Sequence, residues 1–381
     1  MTLPDEPASK PATGGRGALF ALGFRPLYLL AGAYAALGVP LWALQYAGVL
    51  PGADPNWHAH EMLFGYAFAV IAGFLLTAVR AWTGRPTPAG AALAAIAALW
   101  LAARVLALFS LPAAAAADAL FAVAVAWGIG RPIVASRNRN WFFIVLVLAI
   151  GAASVAFLAL PRVALATGLD LVLLVMAIIG GRVIPAFTNN ALPGAGARRI
   201  QWLEHGALGS VLLLILLDLS NFEKAASIAA LAAAALHGAR LALWAPLKTR
   251  STPILWILHL AYAWIVVHLA LRGCAGFGLA PAALATHALT VGAIGGLTLG
   301  MMTRTARGHT ARPLKAGPAE IAAYVLVQAA AIVRVLLPLA LPSAYAAAVS
   351  ISAALWSAAF ALFVAAYYPI LSRPRLDGQP G

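Results

Sequence analysis

Cysteine is nearly absent from this chain of 381 residues; Cys274 is its one thiol. That excludes an internal disulfide and any metal site built from several thiolates. Acidic side chains are scarce too. Aspartate and glutamate total 11, and charged residues of both signs make up 9% of the chain. A soluble domain carries about 25%, so this chain has too little polar surface to cover itself in water. No phosphate loop, dinucleotide fingerprint or nucleophile elbow is present. The apolar segments do not alternate at period two, which excludes the strands of an outer-membrane barrel.

Long apolar runs take up the space. The chain is 63% hydrophobic with a mean hydropathy of +0.92. Each run is long enough to cross a ~30 Å hydrocarbon core as a helix. Proline, glycine and charge punctuate twelve of them, at 22–46, 58–80, 88–109, 111–131, 141–160, 165–185, 201–219, 223–245, 253–272, 280–303, 317–339 and 343–370. The expected fold is an all-α polytopic membrane protein, a bundle of about twelve transmembrane helices. Residues 1–20 form a tail, 21–371 one membrane domain and 372–381 a second tail. No internal repeat stands out.

The net charge of +14 comes from basic residues scattered singly and in pairs, not gathered into a patch, so nucleic-acid binding is not expected. Their distribution sets orientation. One set of alternate segments holds twenty, the other only Arg162, Lys224 and Arg272. Both termini are therefore expected in the cytoplasm.

With that orientation, the rise of ~1.5 Å per residue places each histidine in depth. His58 and His60 stand at the outer mouth of the second span, beside Glu61; His287 and His268 lie somewhat deeper on the outer side. His237 and His259 fall just inside the midplane, and His205 and His309 near the inner face. Arg104 and Arg334 sit in the outer halves of spans three and eleven. A charge at such depth faces a partner inside the bundle. The protein's own candidates are Glu61, Asp118 and Asp170; the alternative is a cofactor with carboxylates, such as the propionates of a haem.

His58 and His60 are about 200° apart on a helix, so a regular helix cannot aim both at one metal. One can coordinate while the other hydrogen-bonds. Two imidazoles and a carboxylate exceed what an interfacial anchor needs, which favours a ligand role. His287 is read as a ligand as well. His237 and His259 fit a second, inner metal or interhelical hydrogen bonds equally well. His268 and His205 are read as structural, and Glu61 as a helix-start acid or a proton-transfer group. Gly292, Gly296 and Gly300 form a small-residue stripe with Ala288, read as a helix-packing face more than a slot for a planar ring.

Four stretches, "WHAHEMLFGYAFAVIAGFLLTAVRAWTGRP", "IIGGRVIPAFTNNALPG", "PILWILHLAYAW" and "HALTVGAIGGLTLGMMTRTARGHTARPL", resemble signatures of the NnrS family. These are twelve-span, haem- and copper-containing bacterial membrane proteins linked to denitrification and nitric oxide stress. The resemblance implies haem and copper, a place in the bacterial inner membrane, and nitric oxide as ligand or substrate. It extends to His58, His60, Glu61, His237, His259, His287 and His309, and to the polar positions Arg104, Arg182, Asn189, Asn190, Arg304 and Arg334. Arg80 departs from the family pattern without touching these residues.

The expected function is haem and copper binding in the nitric oxide response and in resistance to nitrosative stress. His60 or His58 with His287 would hold an outer haem, with Arg104 and Arg334 near its propionates. The competing expectation is a twelve-span secondary transporter, although no paired broken helices or repeated halves support it.

Overall fold

The computed structural model describes residues 18–52 and 54–379. The expected N-terminal tail lies almost wholly outside them, as do Lys10 and Arg16. The described residues fold into helices with no strand. They run α1 (Phe24–Tyr46), α2 (Pro55–Thr83), α3 (Ala91–Leu106), α4 (Leu111–Ala135), α5 (Phe142–Ala156) and α6 (Pro161–Ala191). Then follow α7 (Gln201–Leu219), α8 (Glu223–Leu243), α9 (Pro253–Gly276), α10 (Ala282–His309), α11 (Pro318–Ala340) and α12 (Tyr345–Leu371). Every expected span is matched by one helix. Ten are long and apolar enough to cross a membrane; α3 and α5, at 16 and 15 residues, are shorter than their apolar runs. Both stop early because the chain turns at residues 107–109 and 157–159.

Local chemistry starts and stops these helices. Proline opens α2, α6, α9 and α11, where its missing N–H costs nothing. The Asp54 side chain caps α2 by accepting from the Asn56 N–H at 2.8 Å. Gly84, at φ 65°, ends α2 in the left-handed region open to glycine.

The bundle centres on α2. Of its apolar stretch 83% is buried, more than in any other long helix, whereas α7 at 28% lies on the periphery. Two helices are irregular in the same way. In α2 an α segment ends at His60, a π-helical segment covers Glu61–Ala67, and α geometry resumes at Phe68. In α10 the α segment ends at His287, π geometry covers Ala288–Gly295, and α geometry resumes at Gly296. Such π segments occur mostly at functional sites.

This parallel extends further. Pro26, Tyr34, His60, Gly90 and Arg104 in α1–α3 have counterparts in Pro253, Tyr262, His287, Gly317 and Arg334 in α9–α11, in the same order and at nearly constant spacing. Gly90 and Gly317 both cap helix starts, and Pro132 and Pro369 both sit inside the helix that follows. The chain thus carries a repeated pattern that its alanine-rich composition hides.

Candidate functional site

A cavity of about 530 Å³ opens among α1, α2, α6, α10, α11 and α12. That falls within the range of small-molecule and cofactor sites. Its walls are mostly apolar and aromatic, including Trp42, Tyr46, Met62, Tyr66, Leu169, Ile294 and Trp356. The polar groups among them are few: His58, His287, Arg334 and Tyr345 stand out.

The His58 ring stacks on Trp42 with centroids 5.0 Å apart, and its Nδ1 is buried without a hydrogen-bond partner. His287 Nδ1 donates to the Ala283 carbonyl at 2.6 Å. That bond fixes the tautomer and leaves Nε2 with its lone pair. Arg334 Nη2 donates to this Nε2 at 3.3 Å and to the Tyr345 hydroxyl at 3.0 Å. Arg334 is 7% exposed, and its Nη1 is buried with no hydrogen-bond partner. The cavity therefore presents an unpartnered His58 nitrogen, a His287 nitrogen held by Arg334 and an unsatisfied guanidinium N–H within a greasy wall.

His60 points elsewhere. The 200° that separates it from His58 sends it into a fully buried ionic cluster. Its Nδ1 meets Glu61 Oε1 at 2.9 Å and its Nε2 meets Ser154 Oγ at 2.9 Å, with Asp118 Oδ2 3.9 Å away. Arg104 Nη1 pairs with Glu61 Oε2 at 2.7 Å, and Nη2 donates to Asp118 Oδ1. The Tyr34 hydroxyl also donates to Glu61. Of the two partner classes expected for Arg104, the protein carboxylates hold it. A Cβ on Gly65 would come within 2.2 Å of Arg104 Nη1, so only glycine lets the guanidinium pass. His60, Glu61 and Asp118 present ligand atoms within 4.8 Å of one another, a possible metal-binding group.

The inner histidines have separate partners. His237 Nε2 donates to the Ala207 carbonyl at 3.1 Å, and its Nδ1 accepts from the Tyr262 hydroxyl at 2.7 Å. Tyr262 also accepts from Arg240, whose other nitrogens grip Glu204 at 2.9 and 2.6 Å. His259 Nε2 bonds Thr188 Oγ1 at 2.9 Å, and its Nδ1 is buried without a partner. His309 packs on the Phe24 ring, with centroids 5.7 Å apart. Among the read-as-structural residues, His268 Nδ1 bonds the Ala285 carbonyl at 2.8 Å.

Several participants escaped sequence reasoning. Ser154 and Tyr345 carry no signal beyond a hydroxyl in an apolar run. Arg240, counted among the inner-side basic residues, forms a buried pair with Glu204, which the sequence did not single out; a Cβ on Gly181 would lie 1.6 Å from Arg240 Nη2. Arg272, counted among the outer loops, grips Asp170 at 2.8 Å and Asp218 at 2.6 Å. The glycine stripe is a packing face: Cβ atoms at Gly292, Gly296 and Gly300 would meet Trp264, Ala261 and Leu258 of α9 at 2.3, 2.6 and 2.8 Å. No slot for a ring opens there; the cavity lies along other positions of α10.

The two His–Arg pairs are counterparts in the repeated pattern. In the α2–α3 copy Glu61 follows the histidine and satisfies Arg104. In the α10–α11 copy Ala288 stands there, and Arg334 faces the cavity instead. That copy presents to the cavity one imidazole, His287, whose Nε2 accepts from Arg334, together with an Arg334 N–H that has no acceptor and an apolar wall shared with His58 of α2. A search of curated proteins gives no match to this chain. A family model described as NnrS protein matches residues 18–375, nearly the whole chain. The resemblance carried by the histidine-bearing second and tenth spans is thereby confirmed, and the chain belongs to the NnrS family.

Proposed function

We propose that this protein binds haem in its outer cavity and acts on the response to nitric oxide, relieving nitrosative stress that accompanies denitrification. The observation that carries the reading is the pair of cavity imidazoles, His58 and His287, beside an Arg334 N–H that no protein acceptor satisfies. Family membership supports a role in the nitric oxide response. Haem iron, when bound, supplies a redox centre and a site for a diatomic ligand.

The chain's own residues would do the rest. His287 would offer Nε2 once Arg334 gives up its contact there, because its Nδ1–H is tied to Ala283. His58 is held against Trp42, which sets the plane of its ring. Arg334 would turn its free N–H to a propionate, a charge-assisted bond in a low-dielectric wall. The apolar lining excludes water and admits a small neutral gas, which the bilayer also dissolves.

The copper that the family implies would take His60 with Glu61 and Asp118, since these are the donors that converge. Arg104 holds the same two carboxylates, so loading would require its guanidinium to leave one of them. His259 and His309 each have one nitrogen or ring face engaged by protein and stand apart as further metal candidates, whereas both ring nitrogens of His237 are bonded to protein. The charge bias supports an inner-membrane protein with both termini in the cytoplasm.

A reduced-minus-oxidised spectrum of purified protein tests the reading. The expected result is a Soret band that His287→Ala and His58→Ala weaken or abolish and His60→Ala keeps. Absence of the band, together with absence of iron and copper by elemental analysis, would refute it.

A further inference from the structure

A second, half-open apolar chamber of about 70 Å³ is lined by α1, α2, α6 and α10 on the inner side of the outer cavity. The same helix faces line both. On α2 the wall passes from Met62 and Tyr66 in the cavity to Val70 and Phe74 in the chamber. On α10 it passes from Ile294 to Leu297 and Met301, and on α6 from Leu169 to Met176 and Gly180. Successive residues three to four apart share one helix face, so the two spaces lie along the same faces of α2, α6 and α10. From His287 to Leu297 the rise of 1.5 Å per residue carries the wall about 15 Å deeper.

One contact between them stands out. Tyr66, in the π segment of α2, lines the cavity; Thr298, just past the π segment of α10, lines the chamber. Their hydroxyls bond at 2.5 Å, and Thr298 Oγ1 also donates to the Ile294 carbonyl at 2.6 Å. Further in, the Arg304 guanidinium stacks on the Phe187 ring at 3.7 Å, one turn beyond Met301 and Val183.

We infer that the inner chamber is a docking site for a small uncharged molecule of diatomic size, exchanged with the outer cavity past the Tyr66–Thr298 contact. Its lining offers almost no polar group, so an ion would lose its hydration with nothing in return. An apolar lining instead suits apolar gases such as xenon. The inference rests on the reading that a small gas reaches the outer cavity, and it gives that gas a waiting place away from His58 and His287.

Crystals under xenon pressure test it without any cofactor. Xenon is expected in the chamber beside Val175, Gly180 and Leu297, and lost there in Val175→Phe or, separately, Leu297→Phe. An empty chamber beside a xenon-loaded cavity overturns the inference, as does xenon that survives both filling variants. For the passage, carbon monoxide is photolysed from haem-loaded protein. A slow rebinding phase is expected and should vanish in Val175→Phe and in Tyr66→Trp; persistence in both overturns exchange past Tyr66. A missing Soret band would fail the haem reading alone and leave the xenon result standing.

Discussion

Replacing Arg104 by methionine should destabilise the fold through one identifiable cause. The guanidinium lies between Glu61 and Asp118, both 0% exposed, and the replacement removes the cation and leaves both carboxylates. Deleting one partner of a buried pair costs about 3–5 kcal/mol because the other charge stays uncompensated. Here one cation serves two acids. The variant can limit the loss by protonating them, at about 1.4 kcal/mol for each unit of pKa displaced. His60 and Tyr34 still bond Glu61, so that carboxylate keeps some support. The expected result is a clear fall in melting temperature in detergent, with a loss on the order of 3–5 kcal/mol. Adding Glu61→Gln and Asp118→Asn should restore most of it, since neutral amides no longer require a cation. Melting is followed by far-ultraviolet circular dichroism on matched preparations. A single variant that melts with the wild type would refute the reasoning. So would a triple variant no more stable than the single one, which would mean that Arg104 acts by packing alone.

Gly65→Ala should mimic Arg104→Met in part, because its Cβ occupies the path of Arg104 Nη1; the check is whether the two effects fail to add. Gly181→Ala should be damaging by the same logic, with a Cβ 1.6 Å from Arg240 Nη2, and Arg240→Met should relieve that clash while exposing Glu204 to the buried-charge cost. Arg334→Gln should weaken haem retention, read as faster transfer to apomyoglobin, while leaving the melting temperature nearly unchanged because Arg334 has no acidic partner to strand. For orientation, Cys274→Ser supplies a thiol-free background. In it Asn221→Cys, in the turn between α7 and α8, should react with a membrane-impermeant maleimide from the periplasm. Ser372→Cys should react only after permeabilisation; the reverse pattern would invert the topology.

Much of the fold was legible because a hydrocarbon core imposes a length. Each run of apolar residues between punctuation became one helix, with limits off by a turn where α3 and α5 end early. Arg104 was legible as a buried cation needing a partner, and Glu61 and Asp118 as acids at its level. Periodicity could say that His58 and His60 diverge, but not which one faces the cavity, since that depends on how α2 packs against α1 and α10. Arg240 was counted with the loop charges, and its partner Glu204 passed over, because charge near a span end looks like loop charge whether it is exposed or buried. The repeated pattern stayed hidden because alanine and leucine fill both copies, and only a few proline, glycine, histidine and arginine positions mark it.

The wide turns after His60 and His287 have a consequence for how these sites are encoded. An i→i+5 turn holds one residue more than an α turn, so it reads as an insertion into an otherwise regular helix. Each α-helical residue turns the chain by about 100°. Closing either wide turn to α geometry with all its residues kept would therefore swing the histidine above it by about 100° against the helix below, whereas deleting one residue lets the turn close with the aim of that histidine preserved. The aim of these imidazoles is set by the width of a turn together with the count of residues in it, a pairing that substitution scanning never samples and single-residue deletion tests directly.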